Sequence, residues 1–178
     1  MIIRWFATRV AALSTGVVLA QAPKPSAEKT EATAKLDMMV GHWKGKGWWE
    51  FVPGSRREFD SEERVAKRAG GTAFELLGLH SMERGGQSIV VHDAFAMLWY
   101  DERAKKYIMK SAIQTGQIHE FEITLTPTGY TWSHPGFDGK GTVRYVATIG
   151  PASWKEVGES SADGREWKQV FEMSLTRQ

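Results

Sequence analysis

The side chains with the most chemistry to offer are five histidines, His42, His80, His92, His119 and His134. An imidazole can take a proton, ligate a metal or bind haem iron, so spacing decides among these. No two stand four apart as on a zinc-binding helix, and after His119-Glu120 the chain runs on to Phe121, Glu122 and Ile123 without a second histidine. No metal site is expected. The chain has no cysteine, which excludes thiolate ligands, disulfides and a cysteine nucleophile. Gly-x-Ser-x-Gly, a phosphate loop and Gly-x-Gly-x-x-Gly are all missing from the sequence. No catalytic residue is assigned on this basis.

What remains is polar chemistry placed in apolar phases. His119 alternates with Phe121, Ile123 and Leu125, and His134 with Tyr130 and Trp132. In an apolar lumen such a histidine would be neutral, a general base, an acceptor or a haem ligand. The simpler reading is an imidazole satisfied by a carbonyl or a buried water. Asp93 shares its phase with Ile89, Val91, Phe95, Met97 and Trp99; Glu156 shares one with Trp154, and Gln169 with Phe171. A buried carboxylate must be paired or protonated, so either acid could orient a ligand or fix strand register. His80 lies in the phase of Phe74, Leu76, Gly78 and Met82, but the opposite phase is nearly as apolar, which leaves its direction open. The run RREFDSEERVAKR reads as a solvated hairpin.

These side chains need walls to hold them. Strand-like runs fall near 42–52, 56–68, 72–84, 87–100, 106–114, 117–126, 129–134, 140–149, 152–159 and 165–176, separated by glycine, proline and aspartate turns. Such short links favour antiparallel neighbours. A meander this long has two exposed edges, and closing it removes both. The expected fold is all-β: an up-and-down antiparallel barrel of about ten strands with a short N-terminal helix. The first strand should pair with the last. The helix is expected over 27–40, rich in Ala, Glu and Lys, with Leu36, Met38, Met39 and Val40 docking its end and Gly41 stopping it.

Residues 1–22 read as a secretory signal peptide: two arginines, an uncharged stretch from Val10 to Ala20, and Ala20-Gln21-Ala22 as a small-x-small cleavage site. Residues 23–41 form a tether and the helix, and 42–178 the barrel domain. The product is expected to be periplasmic or secreted, without stable membrane insertion after cleavage. The formal charge of +2 comes from Arg4 and Arg9, so the mature chain is balanced, and no nucleic-acid partner is implied.

The segment Gly41-His42-Trp43-Lys44-Gly45-Lys46-Gly47, following Leu36-Asp37, resembles the opening strand of calycin-like barrels: lipocalins, fatty-acid-binding proteins and nitrobindin-like haem barrels. Taken with Pro53-Gly54, with Tyr100-Asp101 and Lys106-Tyr107, and with Asp163-Gly164-Arg165-Glu166-Trp167, it is similar in order and spacing to a bacterial family known as domain of unknown function 1579. That resemblance spans roughly 36–177 and implies a barrel holding a small apolar ligand, with no established chemistry. Read physically, Trp43 alternates with two glycines, giving a wall that can bend or be closely approached and a ring that can plug one end.

The expected role is therefore an exported barrel protein that binds a small hydrophobic or amphipathic molecule in its lumen. Trp49, Phe95, Met97, Tyr107, His119, Phe121, Tyr130, Trp132, Tyr145, Gln169 and Phe171 should line it. Two alternatives are a lumen enzyme using His119 with Asp93 or Glu156, and a filled barrel acting as an envelope interaction module. Haem is disfavoured: the resemblance to nitrobindin-like barrels implies a proximal histidine in a late strand, and here the last two strand runs carry no histidine to serve as the strong axial donor a five-coordinate haem needs. His119 could reach it only from a different wall, and no cofactor is assigned.

Overall fold

The computed structural model describes residues 24–136 and 139–178, so the proposed leader lies outside the described residues. Ten strands follow one another: β1 (Gly41–Trp49), β2 (Arg57–Arg68), β3 (Ala73–Arg84), β4 (Gln87–Asp101), β5 (Lys106–Ile113), β6 (Ile118–Thr126), β7 (Gly129–Pro135), β8 (Thr142–Ile149), β9 (Ser153–Ser161) and β10 (Lys168–Arg177). Each pairs antiparallel with its successor, and β10 returns to β1 in register from Trp43 opposite Arg177 to Trp49 opposite Phe171. The barrel is closed. That disposes of both sheet edges, as the length of the meander requires.

The glycines of β1 explain how closure is possible. A Cβ at Gly45 would strike the carbonyl oxygen of Ser174 and lie 2.9 Å from the Leu175 Cα. One at Gly47 would enter the Phe59 ring and lie 2.6 Å from the Glu172 carbonyl oxygen. Both positions let β10 and a neighbouring ring approach where a side chain would hold them off.

One end of the barrel is stoppered. Helix α1 (Ala27–Ala34) starts at Ser26, whose hydroxyl accepts from the Lys29 amide at 2.9 Å. The helix stops six residues short of the expected Val40. A tight turn at Asp37–Met39 follows, which carries Leu36 and Met39 beneath the barrel, where both are fully buried. Tyr107 donates to the Ala32 carbonyl at 3.0 Å, Tyr100 donates to Glu28 at 2.8 Å, and Lys67 pairs with Asp37 at 2.6 Å. Trp43 fills the space above, wholly buried, donating to the Met39 carbonyl at 2.9 Å. Its ring meets Trp154 edge-on at 5.7 Å, with the Arg177 guanidinium 3.9 Å from its centroid. The apolar core, including Val65, Phe74, Leu98, Ile123, Ala147 and Leu175, occupies this half.

Two bulges set which way side chains face elsewhere. Between β3 and β4, His80 pairs with His92 but Ser81 with Val90, so Val91 is an extra residue and the phase of β4 changes there. From that point His92, Ala94, Ala96 and Leu98 share the inner face, whereas Asp93, Phe95 and Met97 lie outside. Phe95 is 50 % and Met97 43 % exposed, so neither lines the lumen as the alternation had suggested, and Asp93 is likewise at the surface. In β10 the extra residue is Val170, buried against Val143 and Tyr145. Gln169 consequently turns outward, donating to Glu172 at 3.0 Å, and it too is not a lumen residue.

Candidate functional site

Away from the helix the inner face is a girdle of rings contributed by most of the strands. Trp49 stacks on Phe59 at 4.8 Å, Phe59 on His80 at 4.4 Å, and His80 leans on His92 at 4.9 Å. In the other direction around the wall Phe59 meets Phe171 over β1 at 5.9 Å, Phe171 meets Tyr145 at 5.5 Å, and Tyr145 stacks almost parallel on Trp132 at 4.2 Å. Trp132 reaches Phe121 at 4.7 Å, and His119 is 6.0 Å from Phe121 at the exposed rim. Period-two alternation delivers these side chains to one surface. Glycine makes room for them: a Cβ at Gly158 would lie 2.8 Å from both the Tyr145 ring and the Phe171 side chain.

Below the girdle sits a layer of titratable groups. Glu63 of β2 approaches the Nε2 of His80 to 3.3 Å, and its carboxyl lies over Gly78, where a Cβ would be 2.9 Å from Oε2. Glu156 of β9 accepts from the Trp132 indole N–H at 2.9 Å and from the Tyr130 hydroxyl at 3.4 Å. Burial raises the Glu63 carboxyl to about 8, and burial together with the charge of Glu63 raises Glu156 to about 7. Burial likewise lowers His80 and His92 to about 4, and their proximity adds to the effect at His92. Tyr130 and Tyr145 are pushed upward by burial and by the charge of Glu156, so both hydroxyls stay donors. At neutral pH, then, Glu63 and His80 face each other as acid and neutral imidazole rather than as an ion pair, because neither charge is solvated.

This arrangement gathers Trp49, Phe121, Tyr130, Trp132, Tyr145 and Phe171 from the expected set onto the inner face, together with Glu156. Tyr107 also faces inward but belongs to the stopper, and His119 stands at the rim on the inner face. His134 is nearby, 5.8 Å from both the Trp132 and Tyr145 rings. The pairing of His119 with Asp93 or Glu156 is not formed: Asp93 is outside, and the bonds of Glu156 go to Trp132 and Tyr130. Sequence reasoning missed Glu63 and His92. The signal for Glu63 was present, since Phe59, Ser61, Glu63 and Val65 alternate within the charged run, with Phe59, Ser61 and Val65 all buried. His42, by contrast, is on the outer face, 2.9 Å from Glu62. Among the described residues no group of three or more His, Cys, Asp and Glu side chains has the geometry to hold a metal.

One wall is thin. β6 and β7 pair only from Thr124 opposite Thr131 to Thr126 opposite Gly129, beyond which Phe121 and Trp132 fill the seam with their rings. A groove of about 540 Å³ lies along it, lined by Thr124, Thr131, Trp132, Ser133, Arg144 and Tyr145 among others.

No family model matches the chain, and no curated protein matches it either. Among solved structures the chain is similar to Rv2717c from M. tuberculosis, with 16 % identity over 85 % of this chain and 98 % of that one, at a TM-score of 0.57. At that identity the likeness establishes the barrel architecture.

Proposed function

We propose that the protein binds a small hydrophobic or amphipathic molecule inside the barrel at the end away from the helix. The observation that carries this reading is the ring girdle of Trp49, Phe59, Phe121, Trp132, Tyr145 and Phe171 standing above a buried polar layer. Apolar walls with a few convergent polar groups are the usual make-up of a small-molecule site. Titrating Nile red into the protein should give a saturable rise in dye emission with quenching of tryptophan, and Trp132→Phe should reduce the quenching. A linear, non-saturating response would rule out a lumen site.

The same proposal places the chain among the exported calycin-like barrels, with the first 22 residues as a leader. Support comes from Ala20-Gln21-Ala22 and from the order of the Gly-x-Trp-x-Gly-x-Gly, Tyr-Asp and Asp-Gly-x-x-Trp motifs along the barrel. Sequencing the exported protein should begin at Pro23; a retained Met1 in the membrane fraction would refute the leader.

A lumen enzyme is the second reading, favoured by the 3.3 Å contact between Glu63 and His80 inside the apolar wall. An acid facing a neutral imidazole is a proton-transfer pair. It requires turnover that His80→Ala abolishes while Nile red still binds, and binding without turnover leaves the carrier reading in place.

A further inference from the structure

The two carboxyls in the lumen have no cationic partner among the described residues. Among the described residues, the side chains touching Glu63 and Glu156 are Ser61, His80, Tyr130, Trp132 and Trp154, all uncharged at neutral pH. The basic residues of the surrounding strands are engaged elsewhere. Lys44, Lys46, Arg144 and Lys155 pair with Glu62, Asp60, Glu159 and Glu172 on the outside. Lys67 and Arg177 are tied to Asp37 and Met38 at the stoppered end. A barrel built for fatty acids would need a cation where this one has two acids.

We propose, resting on the lumen-binding reading above, that the molecule taken up is an amphipathic cation whose charged head lies between Glu63 and Glu156 against the aromatic wall. Three features fit this occupant. A carboxylate pair supplies the missing opposite charge, and carboxyls that burial otherwise keeps protonated give up their protons when such a partner arrives. The faces of Trp132, Tyr145, Phe59 and Phe171 attract a cation through their ring quadrupoles, most strongly when water is excluded. Finally, Trp154 Nε1 is buried with no hydrogen-bond partner among the described residues and lies near enough to favour a charged Glu156. With Trp132 and Tyr130 it makes three donors around a single carboxyl, which suits the ionised form better than the acid. The groups facing Glu63 are His80 on β3, His92 beyond it, and Glu156 across the lumen; none offers a positive charge at neutral pH.

The test compares three amphiphiles of one chain length as competitors for bound Nile red: dodecyltrimethylammonium, dodecanol and laurate, each below its micelle concentration. At pH 7.5 the ammonium should displace dye at a concentration at least tenfold lower than dodecanol, with laurate weakest. Its binding should release protons, seen as a calorimetric heat that changes with the ionisation enthalpy of the buffer. Glu63→Gln and Glu156→Gln together should erase the tenfold preference while dye binding persists, which also shows that the variant is folded. If that double variant loses dye binding, proton release by the wild type decides. Laurate or dodecanol binding as well as the ammonium, or no proton release, would overturn the cation assignment and leave the lumen site standing. A protein that binds no Nile red would overturn both.

Discussion

Replacing Glu63 by Gln should change the shape of the pH–stability curve, not only its height. Below pH 8 four lumen groups titrate differently in the folded and unfolded chains: Glu63 moves from 4.5 to about 8, Glu156 from 4.5 to about 7, and His80 and His92 each from 6.5 to about 4. For the carboxyls, the folded protein keeps a proton the unfolded chain has lost, so their contribution is complete below 4.5 and is lost as pH rises toward the folded value. For the imidazoles, the unfolded chain gains a proton the folded protein refuses, so their contribution is complete above 6.5 and is lost as pH falls toward 4. Between 4.5 and 6.5 the two carboxyls and two imidazoles cancel, leaving a plateau from this layer. Above 6.5 only the carboxyls act, each costing about 1.4 kcal/mol per pH unit, Glu156 as far as 7 and Glu63 as far as 8. The wild type should lose about 3 kcal/mol across that window, roughly 2 of it from Glu63. In Glu63→Gln the curve should flatten above pH 7 and should climb by at least about 1.4 kcal/mol per unit between 4.5 and 6.5, where one carboxyl, itself lowered by the loss of the Glu63 charge, no longer offsets two imidazoles. Glu62, held down to about 2 by Arg64 and Lys44, titrates below the window. Urea unfolding followed by tryptophan emission at half-unit intervals measures both curves. Parallel curves for wild type and variant from pH 6.5 to 8 would refute the assignment of Glu63 as a buried acid.

Gly45→Ala should cost more than about 3 kcal/mol, because its Cβ meets the β10 backbone and no side-chain rotation relieves the clash; thermal unfolding within about 1 kcal/mol of wild type would contradict the close approach. Trp43→Phe removes the N–H donated to Met39 and leaves that carbonyl buried and unpaired, a loss of about 1–3 kcal/mol by urea titration. Phe171→Ala should cost about 3 kcal/mol and weaken Nile red binding, whereas Phe95→Ala on the outer face should leave dye binding unchanged. Equal effects on dye binding at these two positions would mean the inner face is misassigned.

Much of the architecture followed from local pattern. All ten strands, their antiparallel order and the meeting of first and last were readable from turn residues and period-two runs, because a meander with short links has few ways to hide its edges. The inward phases of β6 and β8 were readable as well: Ile123, Val143, Tyr145, Ala147 and Ile149 are all buried. The Gly-x-Trp-x-Gly-x-Gly run contained its own physical reason, since only glycine lets β10 approach so closely.

Tertiary structure alone decided the facing of β4 and the start of β10, and with it the site. One extra residue reverses every later side chain. Whether a strand bulges depends on how far it must bend to follow the closing wall, which no local window contains. Val91 and Val170 look like ordinary strand residues, yet they turn Asp93, Phe95, Met97 and Gln169 outward and bring His92 inside. Glu63 makes the same point. Its own segment is charged on both sides, and only Gly78, fifteen positions later, and His80 beyond it supply the space and the partner that bury its carboxyl. Sequence by itself determined which residues could alternate. The fold determined which of two faces each one met, because burial is set by neighbours that the chain reaches only by closing on itself.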